Sequence, residues 1–458
     1  MTIRITLLTT CILVCAFLAC GQVTGNVLVI TGATLIDGNG GTPIQDSAVV
    51  IRGDRIVAAG PRTKIKVPRG AKTIDARGKW IIPGLVDAHV HFFQSGGLYT
   101  RPDVIDLRSR VPYTQELDWI NKRLNYTFGR YLCSGITSVV DVGGPFRNFE
   151  IRDIASRTQD APRVAVAGPL ISTYAPDALK TDDPAIVKVN NTDEALALLR
   201  RLLDRKPDLI KIWFIRRPDV KLEEATAIVK AVVDASHAAG VRVAVHATQL
   251  ETAKAAVSAG TDVLVHSVFD RPVDDEFVRM VKERGVIYTT TVVVLEGYTE
   301  ALAQTVNLTD IERKCGDPEV IASWGDLAKI PADELPASAR QTRRFDNKAT
   351  MLGNLKRMVD GGAIVAAGTD AGNIGTLHGP ALHREFELMA EAGLTPMQII
   401  VAATRDAARV FSDKPQIGTL EPNKLADLVI LDANPLTDIA NARKISTVIK
   451  GGRVVKSN

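Results

Sequence analysis

Eight short apolar runs, spread through the middle of the chain and separated by helical patterns, set the tightest limit on its fold. They fall at 85–91, 136–142, 163–168, 208–214, 242–247, 262–267, 286–293 and 363–369. Each has the length and composition of a strand buried on both faces, as the strands of a parallel sheet are. The stretches between them carry amphipathic periodicity. From Leu222 to Ala239, Ala225, Ile228, Val229, Val232 and Val233 share one face, and Gly240 stops the helix. Eight strands, each followed by helix, predict an α/β fold of the (β/α)8 TIM-type barrel class over residues 83–415. Functional side chains in such a barrel sit at the C-terminal ends of the strands.

The two ends of the chain read differently. Residues 27–82 are rich in Val, Ile and Gly, with turn clusters at Asp37-Gly38-Asn39-Gly40-Gly41 and Arg52-Gly53-Asp54. Residues 416–458 repeat the pattern, with strands expected at 425–431 and 448–455. Together they predict one small β-sandwich built from both termini. The interval 294–350 is too long for an ordinary connection and holds Trp324, Arg340, Arg343 and Arg344. It reads as a partly helical insertion near the barrel mouth, either a lid or a plain surface excursion.

Residues 1–20 stand apart. Arg4 is the only charge before an apolar run that ends too soon to span a bilayer comfortably, which is the pattern of a secretory signal. Leu18-Ala19-Cys20-Gly21 resembles a bacterial lipoprotein cleavage box, so Cys20 is the expected lipidation site. The expectation is an exported protein, periplasmic or tethered to a membrane through a lipidated N-terminus. Only Cys133 and Cys315 remain in the body, too few for a disulfide scaffold and enough for one bridge that spacing leaves undecided. Lys and Arg (56) barely exceed Asp and Glu (52), and no basic tract occurs, so nucleic acid is not an expected partner. A homo-oligomer is compatible with the composition.

The chemistry concentrates at strand ends. His89 and His91 close the first strand, and residues two apart on a strand share a face. Two imidazoles so placed form a divalent-metal clamp. His246 and His266 end the fifth and sixth strands, and Asp370 follows the eighth. Each alone has a plainer reading: a hydrogen-bonded core histidine, or a helix cap for Asp370. Lys211 sits inside Asp208-Leu209-Ile210-Lys211-Ile212-Trp213-Phe214, where an unpaired ammonium is costly. Carboxylated by CO2, its amine becomes an anionic oxygen ligand able to bridge two cations.

The order H-x-H, Lys, His, His, Asp resembles the amidohydrolase superfamily. Pro83-Gly84-Leu85-Val86-Asp87-Ala88-His89-Val90-His91, Gly135-Ile136-Thr137-Ser138-Val139-Val140-Asp141-Val142-Gly143-Gly144, Gly368-Thr369-Asp370-Ala371 and the tail from Leu425 to Pro435 carry the resemblance. Within the superfamily the chain is similar to the imidazolonepropionase-like and prolidase-like (Xaa-Pro dipeptidase-related) binuclear hydrolases. The resemblance implies one metal on His89, His91 and Asp370 and a second on His246 and His266. A carbamate on Lys211 and a hydroxide would bridge them. Zinc is the expected metal, since it lowers the pKa of bound water from ~15.7 towards ~7. Asp370 would shuttle the proton. The implied substrate is a small-molecule amide, a dipeptide or N-acyl amino acid.

The sequence also departs from that pattern. Relatives of dipeptidase type often carry a His after the third strand. Here the loop reads Gly168-Pro169-Leu170-Ile171-Ser172-Thr173-Tyr174, leaving Tyr174 as the candidate substitute. Arg216 and Arg217, after Lys211, are candidates for a forked bond to a substrate carboxylate, or simply a solvated turn. His378 follows the eighth strand as a further substrate-binding candidate, whereas His237 and His383 read as structural. One alternative is a mononuclear deaminase or cyclic-amide hydrolase of the same superfamily. Gln249, where such deaminases usually have Glu, and the presence of Lys211 speak against it. The other is a non-catalytic, membrane-tethered binding protein, which would be expected to have lost a ligand.

Overall fold

The structure, a computed structural model, describes residues 27–217, 219–331, 333–335 and 347–457. The expected signal at 1–20, Cys20, Arg340, Arg343 and Arg344 lie outside the described residues.

Every one of the eight apolar runs contains a strand. Leu85–Val90, Ile136–Asp141 and Arg163–Val166 form a three-stranded parallel sheet. Ile210–Trp213, Val243–His246, Val263–Val265, Ile287–Thr289 and Ile364–Ala366 run parallel in a second sheet. Two short strands not anticipated from the sequence, Leu170–Ser172 and Ile186–Lys188, extend that sheet to seven. No continuous ladder joins the two sheets among the described residues. Backbone bonds link them, among them Ala88 N–H to Ala367 O (3.1 Å) and Asp370 N–H to His89 O (2.8 Å) on one side and Asp208 N–H to Val166 O (3.0 Å) on the other. Strand order and helical connections are those of a TIM-type barrel. The helix Leu222–Ala238 buries the apolar face that its periodicity predicts, and Gly240 leaves it at φ +74°.

The expected seventh strand, 286–293, is cut short. Val292 and Val293 instead open the helix Val292–Ala303. Their N–H groups donate to the two carboxylate oxygens of Glu385, at 3.2 and 2.8 Å. A helix start leaves such donors without intrahelical partners. Here the cap arrives from 92 residues downstream, which local sequence cannot show. Burial pushes the Glu385 carboxyl up to about 7.

Both chain ends supply a pair of sheets beside the barrel. One has the strand order Arg55–Pro61, Ser47–Arg52, Val27–Thr31, Lys72–Asp75. The other runs Arg453–Ser457, Ile445–Lys450, Leu428–Leu431, Trp80–Pro83, Thr34–Leu35. Ile30, Val49, Ile51 and Ile56 of the first meet Ile81, Leu428, Ile430 and Ile449 of the second in one apolar layer. Trp80–Pro83 pairs antiparallel with Leu428–Leu431, then passes through Gly84 straight into the first barrel strand. Gly84 admits no side chain, because a Cβ there would lie 2.2 Å from Thr137 Oγ1. The strand that carries His89 is therefore anchored at its root by the C-terminal segment.

The described part of the insertion is helical: Val292–Ala303, Asp310–Cys315 and Pro318–Trp324. Val294, Tyr298, Val320 and Trp324 pack on Leu98, Val104 and Ile105 of the loop after the first strand. Cys315 is bonded to Cys133, at the end of the helix Leu124–Cys133, with Cα atoms 5.6 Å apart. The bridge closes a long loop and ties the insertion to the barrel wall. Cys315→Ser is expected to lower the unfolding free energy by about 2–5 kcal/mol. Urea denaturation of the oxidised protein and the variant measures this, and equal midpoints would show that the bridge adds no stability.

Candidate metal centre

The strand ends converge on one cavity of about 500 Å³. His91, Lys211, His246, His266 and Asp370 line it. His89 lies directly behind, fully buried, its ring centroid 5.0 Å from that of His91 and 4.7 Å from that of His266. The His246 and His266 centroids are 4.5 Å apart. Asp370 Oδ1 stands 3.1 Å from His91 Nε2 and 3.3 Å from His89 Nε2, and those two nitrogens are 3.2 Å from each other. The six nominated side chains thus come together from five strands separated by up to 281 positions.

Strand register explains part of this. Trp213 is opposite His246, and Lys211 is two residues before Trp213, so all three point to the interior. Two of the six positions require an unusual backbone. His266 and Asp370 have φ of +74° and +58°, a region that costs a non-glycine residue energy and recurs at functional sites. Asp87, below His89, accepts from Thr369 N–H (3.1 Å) and Thr369 Oγ1 (2.7 Å), tying the first strand to the Asp370 loop. Gly368 lets the two approach, since a Cβ there would lie 2.9 Å from His89 Cβ.

Electrostatics make the cluster a set of electron-pair donors. Burial holds His89 and His246 well below the ordinary imidazole range and His266 at about 3, so these rings are neutral at physiological pH. His91 Nδ1 lies 2.7 Å from Gly143 O, which can only accept. Nδ1 therefore carries a proton, which leaves Nε2, 3.1 Å from Asp370 Oδ1, as the nitrogen available to a cation. His266 Nδ1 is held by Thr291 Oγ1 at 2.8 Å. Burial raises Asp370, and positive charge on the imidazoles of His89, His266 and His91 would outweigh it and hold the carboxylate well below its usual range. Buried His89 Nδ1 and Asp370 Oδ1 have no hydrogen-bond partner. An anion and several lone pairs aimed at one another in a buried pocket fit a bound cation. The donor atoms of His89, His266 and Asp370 all lie within 4.8 Å of one another. Burial lowers Lys211 to about 7, against the opposing pull of Asp370.

The four residues nominated for substrate contact are not among those lining the cavity. Tyr174 lies behind Trp213, with ring centroids 5.8 Å apart. Arg217 covers the Tyr174 ring and pairs with Asp219 at 2.7 Å. Arg216 bonds Glu251 (2.9 Å) and the Val220 carbonyl (3.0 Å). The expectation that His378 faces the substrate cavity is corrected. Its Nε2 donates to Gln94 O (2.7 Å), its Nδ1 meets Tyr131 OH (2.6 Å), and its ring stacks on Phe92. Burial lowers it to about 4, a neutral ring committed to holding the loop. Sequence reasoning missed Arg101, Trp213, Tyr298 and Asn373, all in the cavity wall. Only Asn373 carried a signal, by lying three residues past Asp370 in the same loop.

The chain matches the Amidohydrolase family over residues 80–455. It is 24% identical over 443 residues to an imidazolonepropionase of Geobacillus kaustophilus (strain HTA426), covering 90% of each protein. Among solved structures it is similar to a Xaa-Pro dipeptidase with methionine bound in its active site (25% identity, TM-score 0.70, 94% of this chain and 99% of that one). It is also similar to the ochratoxinase of Aspergillus niger (22% identity, TM-score 0.72, 94% and 96%).

The Lys211 environment has a measurable consequence. Its pKa of about 7 in the folded state is below its ordinary 10.5. Between those values the unfolded chain holds a proton that the folded chain has released, so the metal-free protein gains stability as pH rises through that window. Urea denaturation from pH 7 to 10 is expected to show this rise in the wild type and its loss in Lys211→Met. Parallel slopes would place Lys211 in a solvated setting.

Proposed function

The chain belongs to the Amidohydrolase family and is a metal-binding hydrolase acting on carbon–nitrogen bonds; from that premise we propose that it cleaves a linear amide using two divalent cations, zinc being the best fit. His89, His91 and Asp370 would hold one and His246 and His266 the other, with a carbamate on Lys211 as a further oxygen donor. The observation that carries the reading is the convergence of His89 Nε2, His91 Nε2 and Asp370 Oδ1 within 3.1–3.3 Å. Neutral imidazole and carboxylate are zinc donors by chemistry. When bound, such cations supply a hydroxide at neutral pH and polarise the scissile carbonyl.

The remaining work belongs to the chain itself. Asp370, kept ionised, accepts the proton of the attacking water and delivers it to the departing nitrogen. Lys211, with a pKa near neutrality, presents a free amine that adds to CO2 and releases one proton to give the carbamate. Gly143 O and Thr291 Oγ1 fix the rings of His91 and His266 so that their lone pairs stay aimed. Phe93, Trp213 and Phe269 wall the cavity and limit water.

The sequence points to a dipeptide or N-acyl amino acid as substrate. The residues nominated for its carboxylate, Arg216 and Arg217, are committed elsewhere, so the class proposed is the wider one of small linear amides. A single-cation reading has one observation in its favour, the compact donor set of His89, His266 and Asp370. Export, with Cys20 as a lipid anchor, belongs to the same proposal. The Cys133–Cys315 bridge supports an oxidising compartment.

The test is hydrolysis of a panel of dipeptides, N-acyl amines and cyclic amides by the zinc-loaded protein. Linear amides are expected to turn over, and Asp370→Asn to lower kcat by about 10²–10⁴-fold. Lys211→Ala is expected to lose both activity and one bound metal. Full activity with one metal in that variant would favour the single-cation reading, and turnover of cyclic amides alone would overturn the substrate class.

A further inference from the structure

The cavity has two kinds of wall. Phe93, Leu170, Trp213, Phe269, Leu295 and Met351 present apolar surface. At one corner, next to the Asp370 loop, stand Arg101, Tyr298 and Asn373. Arg101 looks like an anchor for a substrate carboxylate, the role that an arginine fork fills well. Its bonds say otherwise. Nε donates to Asp103 Oδ1 at 2.7 Å and Nη2 to Asp103 Oδ2 at 2.6 Å, a bidentate pair whose side chains are only 18% and 10% exposed. Nη1 donates to Tyr298 OH at 3.0 Å and to Asn373 Oδ1. Tyr298 OH also donates to Asn373 Oδ1 at 2.6 Å, and Asn373 Nδ2 donates to Asp370 O at 2.9 Å.

All three guanidinium nitrogens are thus engaged, and the one positive charge is cancelled by one carboxylate. A substrate anion brought to this corner would have to break the bidentate Arg101–Asp103 pair or sit beside the Asp103 carboxylate and be repelled. Lys211, the other Lys or Arg among the described lining residues, is 1% exposed and in the proposed enzyme would be a carbamate, not a cation. An uncharged group meets no such repulsion, and its apolar part fills the aromatic wall.

We propose that the Arg101–Asp103 pair is a specificity-determining element that selects uncharged, largely apolar amides over substrates bearing a free carboxylate. The inference rests on the amide-hydrolase reading above. It assigns Arg101 to substrate selection through its pairing, with Asp103 as the residue that masks its charge.

A matched pair of substrates tests it in the zinc-loaded protein: N-benzoyl-phenethylamine and N-benzoyl-phenylalanine, which differ by one carboxylate. Release of the amine is followed for both. The neutral compound is expected to have the higher kcat/KM by roughly tenfold or more. Asp103→Asn unmasks Arg101 and is expected to move the ratio towards the acid, chiefly by lowering its KM. The double variant Arg101→Gln/Asp103→Asn removes both charges and is expected to relieve discrimination without creating a preference for the acid. Wild-type preference for the acid overturns the inference alone, and that comparison needs no variant to fold. So does an unchanged ratio in an Asp103→Asn protein whose melting curve is intact. Turnover of neither compound, by a preparation inactive on every other amide, overturns the reading of the site and this inference with it.

Discussion

Burial of several electron-pair donors around one carboxylate is the constraint on which this structure turns. The barrel interior is apolar, and an apolar setting disfavours charged imidazole. His89, His246 and His266 are therefore neutral rings. Asp370 shares this setting, and the positive charge that would hold its carboxyl low comes with a proton or a cation among these rings. Among the described cavity residues Arg101 is already paired with Asp103, and burial pulls the pKa of Lys211 down to about 7. A site assembled this way is costly for the fold on its own and becomes favourable when cations enter it.

The scaffold is organised to hold that arrangement. The strand bearing His89 starts from a sheet shared with the C-terminal segment, which fixes its root. Asp87 and Thr369 lock it to the loop of Asp370. The insertion lines the cavity through Tyr298 and Val294, and the Cys133–Cys315 bridge ties it to the helix Leu124–Cys133. One network runs from Tyr298 through Asn373 to the Asp370 backbone. One cavity wall and the Asp370 backbone therefore share a hydrogen-bonded support.

What could be read from the amino-acid order follows from periodicity. Strand alternation put His89 and His91 on one face, and apolar runs of strand length located the ends where His246, His266 and Asp370 fall. Lys211 was conspicuous because an ammonium is costly among Ile210, Ile212, Trp213 and Phe214. What escaped was set by tertiary partners. Val292 and Val293 belong to a strand by composition and to a helix because Glu385 caps them. Arg216 and Arg217 have the chemistry of a carboxylate clamp, but Glu251 and Asp219 claim them. Arg101 gave no signal at all, since its meaning depends on Asp103, Tyr298 and Asn373 meeting in space. Spacing likewise left the pairing of Cys133 with Cys315 open.

Anomalous X-ray scattering from crystals of the zinc-loaded protein, recorded on both sides of the zinc absorption edge, tests the central claim most directly. The account predicts two peaks among His89, His91, His246, His266 and Asp370, with the Lys211 side chain extended by a carboxylate between them. No peak at these residues, or a metal bound elsewhere while Lys211 stays a bare amine, would contradict it.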